Sequence, residues 1–256
     1  RSTIHYGDLC CFSLSSSSSA FAAPSDTMTR LLLLTMLLTS GCASTAVVTA
    51  DDDTTPPQSE DAVGAPASLN ARFREATLDV DTWSQRFEGE SREVYRAREA
   101  IVQVLGLTPG QVVADVGAGT GLFVAYLSKA VGPQGRVIAV DISPVFVAHI
   151  RRRAEAAGLV NVVSQLGEQA DVLLPEGGVD VIFTCDTYHH FEDTAGILAT
   201  MRRALKPGGR LVVVDYHRIE GKTRPFLMQH LRAGQGVFIA EIEAAGFTRL
   251  PDPPGP

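Results

Sequence analysis

From residue 111 onward the chain alternates short apolar runs with longer amphipathic stretches. Residues 111–116, 136–141, 160–166, 179–185 and 210–216 are rich in Val, Ile, Leu and Ala, as expected of strands covered on both faces. Between them, residues 122–131, 144–157, 193–205 and 224–245 carry helix formers at helical spacing. Ser143-Pro144 opens one of these stretches and Gly246 closes the last. Upstream, residues 70–105 read as helical: Val94, Ile101, Val102 and Leu105 recur near helical spacing until Leu107-Thr108-Pro109-Gly110 ends the pattern. Strands alternating with helices predict an α/β fold with a doubly wound, mostly parallel, Rossmann-like sheet.

The first strand empties into a glycine-rich turn, Val112-Val113-Ala114-Asp115-Val116-Gly117-Ala118-Gly119-Thr120-Gly121-Leu122. Glycines there let the backbone bend sharply and bring main-chain N–H groups close to a ligand. A dinucleotide fingerprint needs a third Gly or Ala at position 122, where this chain has Leu. The second strand ends in Asp141, twenty residues past Gly121, where a carboxylate can accept bonds from both hydroxyls of a ribose. Further on, Asp186 and Tyr188-His189-His190-Phe191 follow the fourth strand, and Leu205-Lys206-Pro207-Gly208-Gly209-Arg210-Leu211 introduces the fifth.

The run D-x-G-x-G-x-G with Asp141 and L-K-P-G-G-R-L resembles the motifs of class I S-adenosylmethionine-dependent methyltransferases, from about Trp83 to Phe247. The resemblance implies S-adenosyl-L-methionine as cofactor, with Gly117, Ala118, Gly119 and Gly121 passing beside its methionine end. Asp115 would face its ammonium group, Asp141 its ribose, and Ile142 an adenine face. Glu168 and Gln169 compete for the adenine edge, and Asp186 completes the cofactor set. Tyr188, His189 and His190 are the candidate catalytic groups, since a histidine can take a proton from an oxygen or nitrogen acceptor. Many such transfers need only orientation and desolvation.

The segment Trp83-Ser84-Gln85-Arg86-Phe87-Glu88-Gly89-Glu90-Ser91-Arg92-Glu93-Val94-Tyr95 is similar to the stretch before the domain in a group of uncharacterised bacterial methyltransferases, as is Asp215-Tyr216-His217-Arg218. In that role Trp83 and Phe87 wall the pocket, and Glu88 or Arg92 pairs across it; an amphipathic helix packed on the sheet is the other reading. Residues 228–245 read as an ordinary crossover helix without a cofactor role. Asp141, Asp215, His217 and His189 are metal-ligating types, but no ligand spacing enforces a site and no metal is expected.

The family's sheet usually closes on an antiparallel strand pair. Phe247-Thr248-Arg249-Leu250 starts one member, but Pro251-Asp252-Pro253-Pro254-Gly255-Pro256 cannot continue it, so the pair is expected to be incomplete. The methyltransferase domain is expected at 70–250, with a disordered tail at 251–256.

Composition narrows the acceptor. With 45% hydrophobic residues the chain can bury one sizeable core, and its net charge of −7 argues against nucleic acid. A small-molecule acceptor is expected. Residues 1–27, with the Ser15–Ser19 run, read as a non-native or disordered leader. Met28-Thr29-Arg30, apolar residues 31–38 and Thr39-Ser40-Gly41-Cys42 look like a bacterial lipoprotein signal at 28–42, cut before a lipidated Cys42 that would anchor the protein to the envelope membrane. If that stretch is a gene-model artefact, the protein is expected in the cytoplasm. Residues 43–69, rich in Asp, Thr, Pro, Ser and Ala, read as a disordered tether. Two rivals remain: a protein that binds the cofactor without catalysis, or a truncated fragment; and another nucleotide enzyme such as an oxidoreductase, for which no Tyr-x-x-x-Lys pair is found.

Overall fold

The computed structural model describes residues 9–15 and 70–251. The predicted signal, Cys42, the whole tether at 43–69 and the last five residues lie outside the described residues. Among those described, no helix is long and apolar enough to cross a membrane.

Seven strands form one sheet: β1 (Leu9–Ser15), β2 (Val112–Val116), β3 (Arg136–Asp141), β4 (Val162–Leu166), β5 (Val179–Cys185), β6 (Leu205–Tyr216) and β7 (Thr248–Arg249). Their order is β4-β3-β2-β5-β6-β1-β7. The five central strands, β4 to β6, run parallel, and β1 joins β6 and β7 antiparallel. The helices are α1 (Val80–Phe87), α2 (Glu93–Val104), α3 (Val124–Val131), α4 (Pro144–Ala156), α5 (Thr194–Ala204), α6 (Pro225–His230) and α7 (Gln235–Ala244).

Successive residues of each central strand serve opposite faces of the sheet. Ala114, Ile138, Ile182 and Val213 pack with Leu198, Met201, Phe238 and Ile242 of α5 and α7. Val113, Val137, Val181, Phe183 and Val214 pack with Ile101, Leu127 and Leu227 of α2, α3 and α6. Both faces are covered, which is why these strands read as apolar runs without alternation.

Helix starts follow their caps. The Asp79 carboxylate accepts the Asp81 and Thr82 amides at α1, Ser143 Oγ accepts the Phe146 amide before Pro144 at α4, and Asp193 accepts the Gly196 amide at α5.

Three predictions need correction. Residues 70–105 are not one helix: a 3-10 turn at Ala71–Arg74, α1 and α2 are separate, with Gly89-Glu90-Ser91 breaking the last two. The last crossover is two helices, because Leu231 turns to an extended backbone and Gly234 restarts the chain at α7. Residues 9–15, read as part of an unstructured leader, form β1, and Leu14 is fully buried in the core. β1 occupies the place beside β6 where the chain's own C-terminal end offers only Thr248–Arg249, so the edge of β6 is paired.

Candidate active site

The strand order reverses between β2 and β5, and ligands of open parallel sheets bind at the carboxyl ends of the strands flanking such a point. Four carboxylates collect there: Asp115 near the end of β2, Asp141 at the end of β3, Asp186 just after β5 and Asp215 near the end of β6.

The glycine loop is shaped by left-handed backbone. Gly117 has φ +77°, and a Cβ there would lie 2.1 Å from Thr187 Cγ2. Thr187 Oγ1 also donates to the Gly117 carbonyl at 3.3 Å, so the loop after β5 seats directly on the glycine loop. At Gly119 (φ +55°) the Cβ position faces the Phe87 ring at 3.5 Å. The Gly117 and Ala118 amides donate to the Val140 carbonyl, and the Gly119 amide donates to Asp141 Oδ2 at 2.7 Å. The other Asp141 oxygen accepts the Ser143 amide at 2.8 Å.

Burial pushes the Asp141 carboxyl up to about 6, against the pull of the Ser143, Gly119 and Ile142 amides. Burial likewise pushes Asp115 to about 7, with repulsion from Asp141 adding to it. Asp115 Oδ2 is buried and has no hydrogen-bond partner. A buried carboxylate oxygen left so is costly unless a cation meets it. The ammonium group of S-adenosylmethionine is such a cation, and a Cβ-free loop beside it is the cradle such a ligand needs. The residues present therefore fit the cofactor.

Residues 70–92 cover this end of the sheet. Rings of Phe73, Trp83, Phe87 and Phe146 form a chain with centroid spacings of 5.0 Å (Phe73–Trp83), 5.1 Å (Trp83–Phe87) and 6.2 Å (Phe87–Phe146). Asn70 Nδ2 donates to the His190 carbonyl at 2.8 Å. Glu88 pairs with Arg153 of α4 at 2.5 Å and accepts the Thr120 hydroxyl at 2.7 Å. Arg92 pairs with Asp186. No residue of α1 is fully buried, so α1 acts as a cover on the loop rather than as a core helix. Glu88 and Arg92, offered by the sequence as alternatives for a pair across the pocket, both form ion pairs with residues outside their own segment.

The acceptor side divides. Tyr188 is fully buried, and its hydroxyl donates to Glu241 of α7 at 3.1 Å, so it serves the core beneath α7 and not the loop. His189 is buried, with Nδ1 against Asp215 Oδ1 at 2.9 Å, while its Nε2 has no partner. His190 is half-buried and meets Phe73 edge-on at 5.8 Å. Asp186 has φ +53°, a left-handed backbone unusual for a residue with a side chain, and its amide donates to the Val214 carbonyl.

The candidates for the adenine edge lie on the loop after β4, whose Gly167 amide donates to the Asp141 carbonyl at 2.9 Å. Glu168 is exposed; Gln169 is engaged by Arg74 and Glu192. Ile142 is half-buried beside Asp141, and Ala118 packs on the small cluster of Val124, Ala139 and Ile150. The sequence reading missed Thr187, Phe73 and His230; His230 sits on a helix assigned no role, and no local pattern marks it.

Fold and site together define a cofactor-binding domain of the class I methyltransferase type. Comparison with known proteins agrees: residues 113–209 match the family described as "Methyltransferase domain". An uncharacterised 37.1 kDa protein in transposon TN4556 of Streptomyces fradiae is 39% identical over 149 residues, which are 57% of this chain and 42% of that protein. The ubiquinone/menaquinone biosynthesis C-methyltransferase UbiE of Shewanella sp. is 33% identical over 118 residues, 46% of this chain and 47% of that one. The chain thus spans about half the length of these curated relatives. A SAM-dependent methyltransferase from Aquifex aeolicus superposes with a TM-score of 0.59 at 29% identity, covering 66% of this chain and 88% of that one. Over residues 113–209 the chain carries a methyltransferase domain, and its fold is similar to that of class I S-adenosylmethionine-dependent methyltransferases.

Proposed function

We propose that this protein transfers the methyl group of S-adenosylmethionine to a small-molecule acceptor by direct displacement. The observation that carries this is the buried, unpartnered Asp115 oxygen beside a glycine loop tied to Asp141. The bound cofactor supplies an electrophilic methyl group on a sulfonium. Around it, Asp115 pairs with the ammonium group, Asp141 holds the ribose hydroxyls with the lone pairs that Gly119 and Ser143 leave, and Ile142 packs on the adenine. Phe87 and Trp83 exclude water from the reacting end, and Arg92 fixes Asp186 at the acceptor edge. His189, oriented by Asp215, faces the acceptor side together with His190; Tyr188 is not part of that set.

A small acceptor is favoured by the acidic net charge and by the C-methyltransferase named among the relatives. Incubation of the full chain with methyl-labelled cofactor and a small-molecule extract is expected to move label into an organic product. Tight binding of a nicotinamide dinucleotide, or binding of neither ligand, overturns the reading.

Membrane anchoring through Cys42 is proposed on the sequence alone. Cleavage before Cys42 removes residues 9–15, and with them the strand between β6 and β7. The N-terminal mass of the purified protein, with a Cys42→Ala control in membrane fractions, distinguishes an anchored chain from one that keeps β1.

A further inference from the structure

Three of the chain's six histidines meet at one place. His189 and His190 are consecutive on the 3-10 turn after β5, and His230 is the last residue of α6. Their ring centroids are 4.3, 4.9 and 5.0 Å apart. One ligating nitrogen from each lies within 4.8 Å of the other two.

His189 is 1% exposed, its Nε2 is buried without a hydrogen-bond partner, and so is His190 Nδ1. Its Nδ1 is held by the Asp215 carboxylate at 2.9 and 3.1 Å, which places the proton on Nδ1 and leaves the Nε2 lone pair free. A buried imidazole whose far nitrogen is fixed by a carboxylate and whose near nitrogen is unpaired has the arrangement of a metal-bound histidine. Leaving the two buried nitrogens, His189 Nε2 and His190 Nδ1, without a partner is unfavourable, and an ion held between them and His230 would satisfy both.

We propose that His189, His190 and His230 form a binding site for a divalent transition-metal ion of the zinc type, with Asp215 as the carboxylate behind His189. Imidazole donors suit this class of ion, and hard oxygen-seeking ions such as calcium do not fit the set. Tetrahedral zinc–nitrogen bonds of about 2.0–2.1 Å separate the donors by roughly 3.4 Å. The imidazoles need only close by roughly 1.4 Å, within reach of side-chain rotation at the half-buried His190 and His230. Three protein ligands leave one position open, the pattern of reactive rather than structural sites. Asp186 lies nearby but is engaged by Arg92, so the open position is left for water or for an acceptor hydroxyl or thiol. Arg72 and Arg92 add positive charge nearby, which Asp215 and Asp186 offset.

No metal was expected from the sequence: His230 lies forty residues beyond His190, and no local spacing links it to the other two histidines. The inference does not rest on methyl transfer, since the ion alone tests it. The full chain, stripped with a chelator, is titrated calorimetrically with zinc. One equivalent is expected to bind, at least tenfold more weakly in His190→Gln and His230→Gln, and unchanged in His217→Gln. Thermal melts of the stripped variants check that each folds. The cobalt-substituted natural chain gives a reading independent of the variants: intense visible bands of a four-coordinate ion support the site. Absence of saturable zinc binding, binding that both Gln variants leave intact, or the weak bands of six-coordinate cobalt overturn it.

Discussion

The Gly119 amide donates to Asp141 Oδ2 at 2.7 Å, so the residue that ends β3 holds the loop that ends β2. One carboxylate therefore shapes the glycine loop, and under the proposed function the same group would hold the ribose. Asp141→Ala is expected to weaken S-adenosylmethionine binding by about 1–3 kcal/mol, read by isothermal titration. Unchanged affinity would show that Asp141 serves the loop alone.

Gly117 and Gly119 differ in what a methyl group would meet. At Gly117 it would run into Thr187 at 2.1 Å with φ +77°, whereas at Gly119 it meets only the edge of Phe87 at 3.5 Å. Gly117→Ala should cost about 2 kcal/mol or more, and Gly119→Ala about 1 kcal/mol. Thr187→Ala should recover part of the Gly117→Ala loss. Equal melting temperatures for the two alanine variants would contradict this packing.

The buried carboxylates predict a pH dependence. Asp115 is raised to about 7 and Asp141 to about 6, both by burial first, while in the unfolded chain each titrates near 4. Between about pH 4 and 7 the folded protein holds protons that the unfolded chain has lost, so these groups make stability fall as pH rises through that window. Over the upper part of the same window, Asp115 gains the charge that a cationic ammonium group pairs with, so cofactor affinity should rise from about pH 5.5 to 7.5. Asp115→Asn should flatten both trends. An affinity independent of pH would remove Asp115 from the ammonium site.

β1 joins the sheet through backbone pairing with seven residues of β6, and Leu14 lies in the core with Phe238, Ile242 and Phe247. Leu14→Ala is expected to destabilise the protein by about 2–5 kcal/mol. Removal of residues 1–15 should lower the melting temperature further and promote association through the exposed edge of β6. A truncated chain that melts like the full one would show that β1 contributes nothing to the fold.

Much of the cofactor half was legible in the sequence. The mainly apolar runs at 136–141 and 179–185 match β3 and β5 residue for residue, because a strand covered on both faces is apolar over most of its length. Gly117, Gly119 and Gly121 announced a sharp turn, and all three have the left-handed backbone that glycine adopts most easily. The position of Asp141 relative to that turn followed from the length of one strand–helix–strand unit. Tertiary structure alone decided the rest, because contacts between distant segments leave no local periodicity. It turned Tyr188 into the core while giving the adjacent His189 an Asp215 partner, and it brought His230 to both histidines. It also set Phe87 on Gly119 and inserted Leu9–Ser15 between β6 and β7, where an open strand edge accepts whichever segment can pair with it.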